Sequence, residues 1–177
     1  MPAPRLAPNQ VEQLTDWVAT YIAGQRSYFQ ERAQAISAEH VSTLEPFFSK
    51  EILSLVRVAQ GRASEPPFYS QLRTLGIRNA PPFSDMAGIT FEDVVVHVEP
   101  LTTSLLFHEL VHAVQYKQLG LNGFAKLYVR GFFTGGSYEE IPLEKQAYCL
   151  EDRFIRNPSR PFSVEDEVTH WIRGDKF

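Results

Sequence analysis

The sequence predicts an α+β fold that is mainly helical, with a small antiparallel sheet placed before a long helix near the middle of the chain. The 177 residues are 44 % hydrophobic and 21 % charged, values typical of one globular domain with a sizeable core. Apolar residues recur at helical spacing over several segments. Two short and mostly apolar stretches, 87–91 and 94–98, are separated only by Glu92-Asp93 and predict a β-hairpin.

The order of the elements follows from these patterns and from the residues that start and stop them. Asn9 and Glu12 resemble a capping box, and the apolar spacing after them predicts a long amphipathic helix up to about residue 37. We expect residues 1–60 to be a helical segment packed on residues 61–177, the whole forming one domain. The remaining predicted elements are a short helix and a strand within 40–60, a short helix over 66–75, a helix from about Thr102 to Lys117 that Gly120 stops, a helix over 122–133, and a helix from Pro142 to about Arg156.

Charge, cysteine content and the N-terminal residues narrow the class of protein and its compartment. Seventeen basic residues against 21 acidic ones give a net charge of -4, and no run of Lys and Arg predicts a nucleic-acid surface. No apolar run approaches the roughly 20 residues that a membrane-spanning helix needs. Three prolines in the first eight residues are unlike a Sec signal peptide, and Cys149 is the single cysteine. We therefore expect a cytoplasmic protein, or one exported by a route other than Sec, with no nucleic-acid or membrane partner.

The predicted helix after the hairpin contains the motif H-E-x-x-H, formed by His108, Glu109 and His112. Residues four apart lie on one face of a helix, so both imidazoles can reach one zinc ion while Glu109 points beside them. Burying two histidines and a glutamate without a partner would cost several kcal/mol. The motif therefore predicts a zinc site carried by this helix.

The third zinc ligand has to come from outside the motif, since a catalytic zinc ion usually has three protein ligands and one open position. A metzincin would need glycine at position 115 and histidine at position 118, and both are glutamine here. Glu144, in the first turn of the last predicted helix, is the preferred candidate. Glu151 shares a face with Glu144 and suits a hydrogen-bond partner of a ligand histidine better than a ligand. The alternatives that remain open are Glu139, Glu140, Asp152, Glu99 and the distal His170.

The segment from His108 to Tyr116, together with Tyr138-Glu139 and Pro142–Tyr148, resembles the gluzincin metallopeptidases. More narrowly, it is similar to the bacterial metalloprotease-like domain found in core proteins of contractile injection systems. The resemblance covers about residues 55–155 and implies a zincin-like metallopeptidase domain over residues 61–177.

Four residues take their expected roles from this resemblance. His108, His112 and Glu144 match the zinc ligands, and Glu109 matches the catalytic glutamate. Thermolysin-like gluzincins carry an aspartate four residues after the ligand glutamate, and Tyr148 stands at that position here. The usual carboxylate partner of a ligand histidine is therefore missing at that position.

The activity that the resemblance implies is zinc-dependent hydrolysis of peptide bonds in a peptide or protein substrate. One zinc ion would hold a water molecule that Glu109 activates. An extended substrate would pair with an edge strand, which the predicted hairpin supplies. Such a site also needs a hydrogen-bond donor for the tetrahedral oxyanion. The candidates for that donor are Tyr138, Tyr148, His97 and Arg130.

Two other functions remain open for the same motif. The chain could be a catalytically inactive binding module on a zincin scaffold, or a zinc hydrolase that acts on a bond other than a peptide bond. The intact Glu109 favours an enzyme. The small size suggests either a highly selective protease or a protein associated with a larger toxin or secretion apparatus.

Overall fold

Seven α-helices and four short strands make up the part of the chain that the computed structural model describes, residues 7–74, 83–98, 100–135 and 138–177. This arrangement confirms the predicted α+β, mainly helical class. Two 3₁₀ helices, Phe83–Asp85 and Tyr138–Glu140, accompany them. The helices are α1 (Pro8–Gln30), α2 (Ala38–Leu44), α3 (Lys50–Leu55), α4 (Tyr69–Thr74), α5 (Thr103–Gly135), α6 (Pro142–Arg156) and α7 (Val164–Arg173), and the strands are β1 (Gln34–Ala35), β2 (Arg57–Gln60), β3 (Gly88–Phe91) and β4 (Val94–His97).

The four strands form one sheet in the order β1-β2-β4-β3, which makes β3 an edge strand. β3 and β4 pair antiparallel as the predicted hairpin, with Gly88 opposite His97 and Phe91 opposite Val94. β2 and β4 run parallel, so the predicted antiparallel sheet is corrected to a mixed one. Parallel pairing needs a long crossover, and the chain passes through α4 and β3 between these two strands.

The N-terminal helix α1 begins and ends earlier than the sequence predicts. Pro8 occupies its first turn, and the Gln10 side chain accepts a hydrogen bond from the backbone N–H of Ala7 at 2.8 Å, so Asn9 and Glu12 are not the cap. The helix stops at Gln30 rather than near residue 37, because the chain leaves it to pair as β1 with β2.

Polar and apolar contacts hold α1 on the rest of the molecule. Arg26 pairs with both carboxylate oxygens of Asp93 at the turn of the hairpin, with an Nη2–Oδ2 distance of 2.9 Å. The Tyr21 hydroxyl donates to the backbone carbonyl of Ser64 at 2.6 Å. The buried face of α1 consists of Leu14, Ala19, Tyr21, Ile22 and Phe29.

The central helix α5 runs between the sheet, α1 and α6 and is bent at Gly120. Gly120 has φ 70° and ψ 165°, which separates the two helices that the sequence predicts on either side of it. Residues 40–60 hold two short helices and β2 instead of one helix and a strand. The predicted bounds of α6, Pro142 and Arg156, are confirmed. None of the helices within the described ranges is long and apolar enough to cross a membrane.

Candidate metal centre

The residues of the candidate metal centre come from two packed helices. His108, Glu109 and His112 lie on α5 before the bend, and Glu144 lies in the first turn of α6. All four side chains are buried. Buried apolar neighbours hold the two helices against each other and so bring the four side chains together. These neighbours are Leu110 and Val111 on α5 and Leu143 and Ala147 on α6, all fully buried in the core.

Three ligand atoms face one another at metal-binding distances. The His108 and His112 Nε2 atoms are 3.2 Å apart, and they lie 3.4 and 3.3 Å from Glu144 Oε2. Bonds of about 2.05 Å at tetrahedral angles place neighbouring zinc ligands about 3.3 Å apart. Glu144 Oε2 is buried and has no hydrogen-bond partner among the described residues, as expected of an atom that binds a cation. The group therefore fits one zinc ion.

The other nitrogen of each histidine has a hydrogen-bond acceptor. His108 Nδ1 lies 3.1 Å from Glu151 Oε2, and His112 Nδ1 lies 2.8 Å from Gln115 Oε1. Carboxylate and amide oxygens only accept, so each Nδ1 carries a hydrogen and each Nε2 is the atom that faces the other candidate ligands. The predicted contact between Glu151 and a histidine of the motif is confirmed. Glu151 lies one turn beyond Tyr148. It supplies the carboxylate partner that is missing at position 148.

Gln115 is a site residue that the sequence analysis did not identify. Its side chain is fully buried, and its amide nitrogen donates at 3.0 Å both to the Leu143 carbonyl and to Gln146 Oε1. The signal in the sequence was a glutamine one helical turn after His112 on a face that is otherwise apolar. Its partners Gln146 and Leu143 lie far from it in the sequence, so local spacing does not identify them.

The carboxylate of Glu109 is positioned by the edge strand β3. The Thr90 hydroxyl lies 2.8 Å from Glu109 Oε2 and donates to it. A methyl group at Gly88 would lie 2.8 Å from Glu109 Oε1, so a larger residue there would displace the carboxylate from this position. Neither residue was identified from the sequence, because their contact with Glu109 depends on how the hairpin docks on α5.

Burial and charge act in opposite directions on the ionisable groups of the centre. Burial disfavours the charged forms of His108 and His112, but the Glu144 carboxylate outweighs this effect and raises the pKa of both. With Glu151 also in contact, the pKa of His108 reaches about 10. Burial opposes ionisation of Glu144, yet the two histidines hold its pKa well below the usual range. Burial raises the pKa of Glu109 above its usual value.

The four candidates for the oxyanion donor lie at different places around the centre. Tyr138 is the one whose hydroxyl lies beside Glu144, and burial together with that carboxylate raises its pKa well above the usual value. Tyr148 places its ring 4.5 Å from the His108 ring and is 46 % exposed. His97 lies on β4 opposite Gly88, and Arg130 is exposed on the second half of α5.

The other carboxylates and the histidine considered as third ligands lie away from the three-atom group. Glu140 is exposed and pairs with Lys145, and Asp152 is exposed and pairs with Arg156. Glu139 and His170 are also exposed. Glu99 lies outside the described residues. Among the described residues, the group that can hold a metal consists of His108, His112 and Glu144.

A small cavity of about 50 Å³ opens beside Glu109, His112 and Glu144. Its other walls are mainly aromatic and aliphatic and come from α1, β3 and the second half of α5.

The chain matches no family model, no curated protein and no solved structure at a significant level. The resemblance to gluzincins stays a prediction carried by the motif residues.

Proposed function

We propose that this protein is a zinc-dependent metallopeptidase of the gluzincin type. The observation that carries the proposal is the triangle of His108 Nε2, His112 Nε2 and Glu144 Oε2, with edges of 3.2 to 3.4 Å. Glu109 lies buried beside it, next to a cavity that a substrate group can enter. A metal site that served structure alone would not need a fourth, non-ligating carboxylate at the cavity wall.

The three proposed ligands would hold one zinc ion, which would supply Lewis-acid chemistry by lowering the pKa of water and polarising a carbonyl group. Glu109 takes the proton from the attacking water and returns it to the leaving amine. Burial raises the pKa of Glu109, which makes its carboxylate a stronger proton acceptor than an exposed one. Thr90 holds the carboxylate in one orientation while it performs both transfers.

Tyr138 is the side chain that fits the oxyanion donor. Its raised pKa keeps the phenol protonated at neutral pH, so the hydroxyl can donate a hydrogen bond beside Glu144. Tyr148 contacts His108 from the more exposed side and fits a role in holding that ring. An extended peptide can pair with β3, the edge strand that also carries Gly88 and Thr90.

The test is metal content and peptide cleavage on untagged protein. We expect about one zinc ion per chain in the wild type and in Glu109→Gln, and loss of most zinc in Glu144→Ala. Glu140→Ala is the matched control, since it removes an exposed carboxylate from the same region and should keep the zinc. Zinc is measured by elemental mass spectrometry, and cleavage by mass spectrometry of a diverse peptide mixture.

Three outcomes would contradict parts of the proposal. A wild type that binds no zinc after supplementation rules out the metal centre. Zinc retained in Glu144→Ala places the third ligand elsewhere. If the zinc-loaded wild type cleaves no peptide while Glu109→Gln is indistinguishable from it, the chain is a binding module or acts on another bond.

A further inference from the structure

The cavity beside the metal centre is walled on one side by the N-terminal helix. Val18, Tyr21 and Ile22 of α1 line it, together with Glu109, His112 and Glu144. A group that enters the cavity therefore touches the proposed general base, two of the proposed ligands and α1 at the same time. This places α1, which lies outside the motif-bearing segment, in the substrate-contacting surface.

Away from the metal centre the walls of the cavity are mainly apolar, and their aromatic rings are packed against other rings. The Tyr21 ring packs at 5.9 Å against both Phe83 and Phe91, and its hydroxyl is held by Ser64. On the opposite side the Phe124 ring stacks on another aromatic ring at 3.7 Å. Rings held on both sides cannot move apart without losing packing, so the size of the cavity limits what can enter it.

Besides Glu144 Oε2, a second polar group of the cavity wall has no hydrogen-bond partner among the described residues. Tyr128 lines the cavity, and its hydroxyl is buried without a hydrogen-bond partner among the described residues. An unpaired buried hydroxyl is costly, and a backbone amide of a bound peptide would satisfy it. This favours a peptide, whose backbone amides lie beside its apolar side chain, over a ligand that is hydrocarbon throughout.

The volume of the cavity selects among apolar groups. It measures about 50 Å³, whereas a cavity that binds benzene in another protein measures about 150 Å³. A methyl or isopropyl group fits such a space and a phenyl ring does not. The geometry points to this cavity as the pocket for the side chain of a substrate residue next to the scissile bond, with an aliphatic side chain of alanine or valine size as its occupant. This inference rests on the proposed metallopeptidase function and names its substrate class.

The test uses three probes that differ only in one side chain, the hydroxamates of N-acetyl-alanine, N-acetyl-valine and N-acetyl-phenylalanine. The hydroxamate binds zinc in each, so differences in affinity report the side chain. We expect the valine probe to bind the zinc-loaded wild type about tenfold tighter than the alanine probe, since each buried methyl contributes about fourfold. We expect the phenylalanine probe to bind at least tenfold more weakly than the valine probe. Binding is measured by titration calorimetry.

Val18→Ala removes two methyl groups from the α1 wall and should lower the preference for valine over phenylalanine by about tenfold. Val11→Ala is the matched control, because Val11 is the same residue type on the same helix, is also partly buried, and does not line the cavity. It should leave all three affinities unchanged. Nuclear Overhauser contacts between the methyl groups of the valine probe and those of Val18 provide a second readout.

The pocket assignment is overturned if the wild type binds the three probes equally or binds the phenylalanine probe best. It is also overturned if Val18→Ala and Val11→Ala behave alike. In each of these cases the zinc content stays at one per chain, so the metal centre stands while the pocket fails. A chain that binds no zinc overturns the proposed function, and the pocket assignment with it.

Discussion

At the scale of single residues, the metal centre depends on a neutral amide as well as on charged groups. The Gln115 oxygen accepts from His112, and its two N–H groups donate to Leu143 and Gln146, so all of its polar atoms are used. Because Leu143 precedes Glu144, the Gln115 side chain contacts one proposed ligand directly and also holds the turn that carries another proposed ligand.

Gln115→Leu keeps the volume of the side chain and removes these hydrogen bonds. We expect zinc affinity to fall by about 10- to 100-fold, the range typical of a lost partner of a ligand histidine. Competition with a chromophoric chelator measures the affinity. Gln118→Leu is the matched control, since Gln118 is exposed, lies on the same helix and bonds α7 instead. Equal zinc affinity in the two variants would show that Gln115 does not position His112.

At the scale of single elements, two glycines in helical segments have opposite effects on stability. Gly24 lies inside α1, and a methyl group there would meet no atom within 4 Å. Gly120 also has open space around it, but its φ of 70° and ψ of 165° lie in a region that essentially only glycine adopts. Since neither position has a steric obstacle, the backbone conformation alone decides whether a change to alanine stabilises or destabilises the protein.

We expect Gly24→Ala to raise the free energy of unfolding by about 0.5–1 kcal/mol, because alanine loses less backbone freedom on folding. We expect Gly120→Ala to lower it by about 1–3 kcal/mol, because alanine strains the bend of α5. Urea unfolding followed by circular dichroism measures both changes. A change of the same sign in the two variants would mean that the bend is not fixed by the conformation of Gly120.

The sequence predicted best the elements whose limits are set by local chemistry. Proline at the start of α6 and the two mostly apolar stretches of the hairpin are local signals, and these elements form where they were expected. The end of α1 and the parallel pairing of β2 with β4 depend on distant partners, so local spacing could not predict them. The same distinction holds in the site. The spacing within α5 brings His108, Glu109 and His112 together, whereas Thr90 and Gln146 reach them only through tertiary packing.

At the scale of the whole molecule, α1 and the metal centre belong to one packed unit. Arg26 ties α1 to the hairpin turn through Asp93, while the hairpin in turn holds Glu109 through Thr90. The first 60 residues also contribute β2, an inner strand of the sheet that pairs with β4. The site is assembled from α1, β3, α5 and α6. A ligand that binds there should therefore stabilise the whole fold.

Zinc binding is therefore expected to raise the thermal stability of the entire chain. A ligand at about 1,000 times its dissociation constant stabilises the folded state by about 4 kcal/mol. For a domain of this size that corresponds to a rise in Tm of roughly 10 °C. Differential scanning calorimetry of zinc-loaded and chelator-treated protein measures the shift.

The variants separate this stabilisation from catalysis. Glu109→Gln should keep the full shift, because Glu109 is not a ligand, and Glu144→Ala should lose most of it. The shift should also appear in a single cooperative transition, since α1, the sheet, α5 and α6 all contact the site. A zinc effect confined to one of two separate transitions would show that the N-terminal segment unfolds independently of the metal centre, and that α1 is not part of one unit with it.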